Sequence, residues 1–113
     1  MKYQIHQFYL TDELYKGINA GTHVDANTAM LQLMLVTEET AQAVVNIAKS
    51  YMVHVADIEA KDLKDVFYIG NIGPEEKITR YKDTTSLSVG NVIVDENGVA
   101  NIVCGWGFQE VEM

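Results

Sequence analysis

The segment with most chemistry in it is His54-x-x-Asp57-x-Glu59, an imidazole and two carboxylates close together in the chain. Such a set could supply a general base with its orienting acid, or ligands for a metal ion. On a regular strand only i and i+2 share a face, so His54 is expected to point away from Asp57 and Glu59. The histidines His6, His23 and His54 show no metal-ligand spacing, and a shared zinc site would require convergence in the fold. The expectation is surface or internally satisfied histidines and no metal. Paired carboxylates occur at Asp12-Glu13, Glu38-Glu39, Glu75-Glu76 and Asp95-Glu96. Acid–base work needs such groups to converge with shifted pKa values. The first two pairs fit helix N-termini and the last fits a turn, so no catalytic role is expected.

Cys104 is the only cysteine, which excludes an intrachain disulfide and a cysteine-based metal site. It sits in Asn101-Ile102-Val103-Cys104-Gly105, a strand-like run in which a free thiol behaves as a small hydrophobe. Ile69-Gly70-Asn71-Ile72-Gly73 lacks the lysine and following helix of a phosphate-cradling loop. Thr84-Thr85-Ser86 has hydroxyls without a nucleophile elbow. No cofactor is expected.

The elements that must position these residues can be read in order. Residues 2–10 alternate as a strand, with Tyr3, Ile5, Gln7 and Tyr9 on one face. Thr11 is an N-cap ahead of Asp12 and Glu13, Leu14, Tyr15 and Ile18 follow at helical spacing, and Gly21 is a stop. Residues 26–36 fit either a short buried helix, with Met30, Leu33 and Met34 inward, or a buried strand. Thr37 is expected to cap a helix with Glu38 and Glu39 in its first turn, an apolar stripe of Ala41, Val44, Val45, Ala48 and Met52, and Lys49 near its end. Residues 51–58 alternate as a strand. Asp62 opens a helix through Leu63, Val66 and Phe67 that is expected to end before Gly70, and residues 71–83, with Pro74, read as a loop. Val92-Ile93-Val94 and residues 99–104 flank Asp95-Glu96-Asn97-Gly98, a hairpin signal, and residues 108–112 form a last strand. The order defines a single α+β domain over residues 1–113, with an N-terminal strand, two to four helices and a hairpin-rich C-terminal third.

The chain carries 16 acidic against 8 basic residues, for a net charge of −8. Neither residues 17–48 nor residues 83–113 contain a lysine or arginine. Asp83, Asp95, Glu96, Glu110 and Glu112 lie in the second stretch. Such a field repels phosphate backbones and favours basic partners, although acidity also serves solubility. No direct nucleic-acid binding is expected. No apolar run approaches the roughly 18 to 20 residues of a membrane span, and the N-terminus lacks the apolar core of a signal peptide, so a cytoplasmic protein is expected. Trp106 stands between Gly105 and Gly107, with Phe108 beside it. It is either a core aromatic at a hairpin end or an anchor for a partner, since Trp and Tyr dominate binding hot spots.

Ser86-Leu87-Ser88-Val89-Gly90-Asn91-Val92-Ile93-Val94, the Asn97-Gly98 turn and Gly107-Phe108-Gln109-Glu110-Val111 together resemble a pattern of small phage and mobile-element proteins, the YodL-like domains. Asp62-Leu63-Lys64-Asp65-Val66-Phe67 and Tyr3-Gln4-Ile5-His6-Gln7 are similar to the preceding helix and first strand of that group. Asn91 stands where Asp is usual, and Cys104-Gly105-Trp106 replaces a common Tyr-x-Val-Asp run. The resemblance implies a phage or mobile-element accessory protein that engages a host factor, and no catalytic residue. Physically the shared segment reads as structure, with Leu87 and Val89 as core contacts and Gly90 as a bend. The expectation is therefore a non-enzymatic protein of the host-cell cytoplasm that binds a host protein through Asp95, Glu96, Trp106, Phe108, Glu110 and Glu112. Its concrete form is inhibition of a nucleic-acid-handling or defence enzyme by filling its basic groove. Two other classes stay open: a ligand-binding domain or enzyme whose site forms only in the fold, and a self-associating virion or assembly component.

Overall fold

Two-residue periodicity through β1 (Lys2–Phe8) buries Tyr3, Ile5 and Gln7 on one side of the strand, and the rest of the fold is assembled around that face. The structure, a computed structural model, describes residues 1–9, 11–84 and 86–113. Leu10, the last residue of the expected first strand, and Thr85 lie outside them. After β1 come α1 (Asp12–Asn19), α2 (Val24–Met34), α3 (Ala41–Ala48), β2 (Met52–Glu59), α4 (Leu63–Ile72), β3 (Ile78–Arg80), β4 (Val92–Val94), β5 (Ala100–Cys104) and β6 (Gly107–Val111). The strands form one antiparallel sheet in the order β3-β2-β1-β4-β5-β6. This is the α+β domain with an N-terminal strand and a strand-rich C-terminal part.

The sheet has a core on each side. On one side α2 and α3 contribute Ala29, Leu33, Ala41, Val44, Val45 and Ala48, which pack on Val92, Ile102, Cys104 and Val111. On the other side Val66 and Ile69 of α4, with Leu87, pack on Tyr3, Ile5, Val55, Ile58, Ile93 and Val103. Ile5, Ile93 and Ile102 are among the largest fully buried side chains, each contributing on the order of 1.5 to 3 kcal/mol.

Local sequence explains most boundaries. Thr11 caps α1 by accepting from the Leu14 amide at 3.1 Å, and Asp62 caps α4 by accepting from the Asp65 amide at 2.9 Å. Residues 26–34 resolve as helix within α2, which ends before Leu35 and Val36, and the buried stripe is Ala26, Ala29 and Leu33, with Met34 turned to solvent. The 95–98 turn is made as expected: Asp95 Oδ1 accepts from the Asn97 and Val99 amides, and Gly98 has φ +82°.

Four expectations are corrected. α3 starts at Ala41, because Thr37 and Thr40 bond each other and close a turn that holds Glu38 and Glu39 outside the helix. Met52 begins β2 rather than ending the helix, though it still packs against the α2–α3 core. α4 runs through Gly70 to Ile72, because the Leu87 side chain occupies the space a Cβ at Gly70 would need (2.5 Å), so glycine there serves close packing and the stop moves to Gly73 at φ +106°. The expected loop 71–83 contains β3, which pairs with β2 from Ile78 to Arg80.

Gly90, in the 86–91 segment, has φ +95°, and a Cβ there would lie 2.8 Å from the Leu33 carbonyl oxygen of α2. Gly98 has a similar φ with open space around it. Gly98→Ala is expected to cost about 1 kcal/mol for the left-handed backbone alone. Gly90→Ala should cost at least about twice that, because the obstructing atom is backbone. Urea midpoints of the two variants measure the difference, and equal midpoints would refute the contact.

Candidate functional site

Two surfaces bring chemistry-bearing side chains together. The first lies on the side of β1 and β2 opposite α4. The pairing of these strands slips by one residue: Ile5 faces Ala56, but His6 faces His54, leaving Val55 as an extra residue on β2. A bulge of this kind inverts the alternation beyond it. Val55 and Ala56 therefore both pack under α4, while His54 and Asp57 both emerge on the opposite side. The expectation that they point apart is corrected: His54 Nε2 lies 2.7 Å from Asp57 Oδ1. Tyr81, just past β3, donates its hydroxyl to Asp57 Oδ2. The His6 ring stacks on His54 with centroids 5.2 Å apart, and Tyr81 meets His54 edge-on at 5.2 Å. Glu59 is drawn instead toward the N-terminal amine, at 3.6 Å.

Asp57 is 8 % exposed, and both of its carboxylate oxygens are partnered. Burial pushes its carboxyl up, but the bonds from Tyr81 and His54 and the charges of His54 and Lys2 outweigh this and hold it below the usual carboxylate range. Its bond to Tyr81 pushes that phenol up, with burial and the charge of Asp57 adding. Burial lowers the His6 imidazole, and neighbouring His54 lowers it further against a smaller opposing pull from Asp57. The arrangement orients an imidazole with a carboxylate, the geometry of a base and its positioning acid. Two of the three histidines thus converge. Among the described residues no group of three or more His, Cys, Asp or Glu side chains is arranged to hold a metal ion.

The second surface is the turn between β5 and β6. Cys104 pairs with Gly107, so Gly105 and Trp106 form a two-residue connection, and among the described residues nothing covers Trp106, which is 97 % exposed. The reading of Trp106 as a core aromatic is thereby overturned. On one flank a cleft of about 270 Å³ is lined by Lys64 and Phe67 of α4 with Val103, Gly107 and Phe108. Phe108 is held there edge-on against Phe67, with centroids 6.4 Å apart. On the other flank a cleft of about 570 Å³ is lined by Val36, Thr37, Glu38, Glu39, Cys104 and Trp106. Cys104 is buried, as a strand thiol should be, and burial pushes it up, with the charge of Glu38 adding.

The expected partner-binding residues do not form one cluster. Trp106 and Phe108 lie at the β5–β6 tip. Glu110 is three residues down β6, about 10 Å from it at strand spacing. Asp95 and Glu96 occupy the β4–β5 turn at the opposite end of β5, where Asp95 is engaged in the turn and Glu96 accepts from the Lys2 amide at 2.6 Å. At that end too, the Glu112 backbone is clasped by the side chain of Gln42 on α3. The carboxylates beside Trp106 are Glu38 and Glu39, assigned from sequence to a helix N-terminus. No protein-family model matches the chain, no curated protein matches its sequence and no solved structure matches its fold. Among the described residues no helix is long and apolar enough to cross a membrane.

Acidification should destabilise the protein in two stages. The folded value of His6 is depressed, so the stability it contributes is present above about 6.5 and is lost as pH falls toward that lower value. The folded value of Asp57 is depressed too, so its contribution is present above about 3.9 and is lost as pH falls through its folded value. Urea midpoints across this range, compared with those of His6→Gln, test the first stage: the variant should lose the decline that begins near 6.5 and keep the one below 3.9. Cys104 should react slowly with iodoacetamide at neutral pH and rapidly once denatured. Equal rates in the two states would contradict its burial.

Proposed function

We propose that the chain acts by protein–protein binding through the β5–β6 tip, with Trp106 as its anchor. The single observation that carries this reading is the exposure of Trp106. A solvent-exposed indole contributes nothing to the core, and tryptophan is the residue type most enriched among binding hot spots. The Glu38–Glu39 turn beside it and the absence of basic residues from residues 17–48 and 83–113 favour a partner with a basic surface. The partner is a host protein, and the chain is an accessory protein of a phage or mobile element in the host cytoplasm, as its likeness to YodL-like domains suggests. Filling the basic groove of a nucleic-acid-handling or defence enzyme is the form of activity that such a surface suits.

A second reading has one observation in its favour. The His54–Asp57 bond, reinforced by Tyr81, is a side-chain convergence of the kind a ligand-binding domain or small enzyme requires. The two readings separate cleanly, because the surfaces occupy different parts of the sheet.

The test is affinity capture of the tagged protein from host lysate after nuclease treatment, with Trp106→Ala and His54→Ala in parallel. The wild type should retain a stoichiometric partner. Trp106→Ala should weaken retention by roughly 30-fold, the cost of losing a hot spot, without changing the thermal midpoint. His54→Ala should retain the partner. Loss with His54→Ala alone would move the function to the sheet cluster. Charge reversal at Glu96, Glu110 and Glu112 gauges how far the interface extends from the tip, and unchanged binding would confine it there.

A further inference from the structure

Resting on the protein-binding reading, we propose that the cleft between the 37–40 turn and Trp106 is a receptor for an arginine side chain of the partner. Three features of this flank act together. Its floor includes Val36 and Cys104, both buried apolar residues that offer a surface to an aliphatic stem. Trp106 lines the same cleft, and its freely exposed indole offers the best aromatic face for a cation. The cleft also carries Glu38 and Glu39, and among the described residues neither carboxylate makes an ion pair or a hydrogen bond. Glu38 lies near enough to the floor for its charge to act on Cys104.

The fold also removes internal competitors. The chain segments that build this cleft come from the two stretches without lysine or arginine, so no cation of their own can neutralise the carboxylates. The flank across Trp106 differs. Lys64 stands there beside Phe67 and Phe108, giving an apolar and basic lining. A guanidinium is thus favoured in the cleft shared by Trp106, Glu38 and Glu39 and disfavoured in the one shared by Lys64 and Phe108. Arginine suits the site better than lysine, because its planar, weakly hydrated head stacks on indole while its edge donates to carboxylates.

Trp106 is the only tryptophan in the chain, so emission excited selectively in tryptophan, apart from the six tyrosines, reports on this turn. The probe is a short capped Gly/Arg peptide titrated into the intact protein, with a citrulline peptide of the same length as neutral isostere. The arginine peptide should shift the emission to the blue in a saturable manner, weakened by added salt. The citrulline peptide should bind at least roughly tenfold more weakly. Glu38→Gln with Glu39→Gln, both at exposed positions that do not support the fold, should weaken the arginine peptide by a similar factor. An unchanged spectrum, equal response to citrulline, or an undiminished response in the double variant would each overturn the proposal. These outcomes differ from failure of the broader reading. If Trp106→Ala abolishes partner capture while the peptide leaves the spectrum unchanged, Trp106 anchors the partner without an arginine receptor. If capture ignores Trp106, the binding reading itself falls and this inference falls with it.

Discussion

Burial of β4 and β5 on both faces is the constraint on which the rest of the structure depends. Val92 and Ile102 face the α2–α3 side, whereas Ile93 and Val103 face the α4 side, and none is more than 4 % exposed. Neighbouring residues on these strands therefore need helices above and below, and the chain has short helices with which to supply them. α2 and α3 are committed to β4, β5 and β6 on one side, and α4, with Leu87, to β1, β2, β4 and β5 on the other. Two regions are left without a helix over them. One is the α2–α3 side of β1 and β2 nearest β3, where the His6, His54, Asp57 and Tyr81 cluster lies. The other is the β5–β6 turn, which extends past the packed helices and carries Trp106.

The two regions meet the loss of cover differently. The sheet cluster is internally satisfied: a carboxylate with little exposure needs partners, and Asp57 finds one for each oxygen. That satisfaction explains the cluster as a way of closing an uncovered patch of sheet without apolar residues. The tip has no such closure. Among the described residues its indole has no covering group and the carboxylates that share its cleft are unpaired. An exposed apolar group beside unpaired charge has its best physical use in association, which is why the tip, and not the cluster, is the proposed contact with a partner.

Much of the scaffold was legible because it rests on local rules. The caps at Thr11 and Asp62, the Asp95-Glu96-Asn97-Gly98 turn, the strand placement of Cys104 and the α+β class all follow from residues near one another in the chain. Features set by distant contacts were not. Gly70 looks like a helix end until Leu87 is brought against it, and Ile78-Thr79-Arg80 shows little sign of a strand until β2 offers an edge. The bulge lies between these cases. Val53, Val55, Ala56 and Ile58 are apolar while His54, Asp57 and Glu59 are polar, so the adjacent pair Val55-Ala56 breaks strict alternation and signals an inserted residue. Reading that break as a bulge, rather than extending the two-residue period through it, would have placed His54 beside Asp57.

The acidic C-terminal third illustrates why charge counted along a chain is a poor guide to charge in space. Asp95, Glu96, Glu110 and Glu112 follow Trp106 or precede it closely in sequence, yet antiparallel strands carry neighbours in the chain to opposite ends of a hairpin. Asp95, Glu96 and Glu112 gather at the end away from the indole, where the Asp95 and Glu96 carboxylates accept from backbone amides and the Glu112 backbone is clasped by Gln42. The turn that bonds Thr37 to Thr40 meanwhile brings Glu38 and Glu39 to the tip from across the sheet. The base-free character of residues 17–48 thus bears more on the proposed binding surface than the base-free tail, because Glu38 and Glu39, unpaired among the described residues, share a cleft with Trp106.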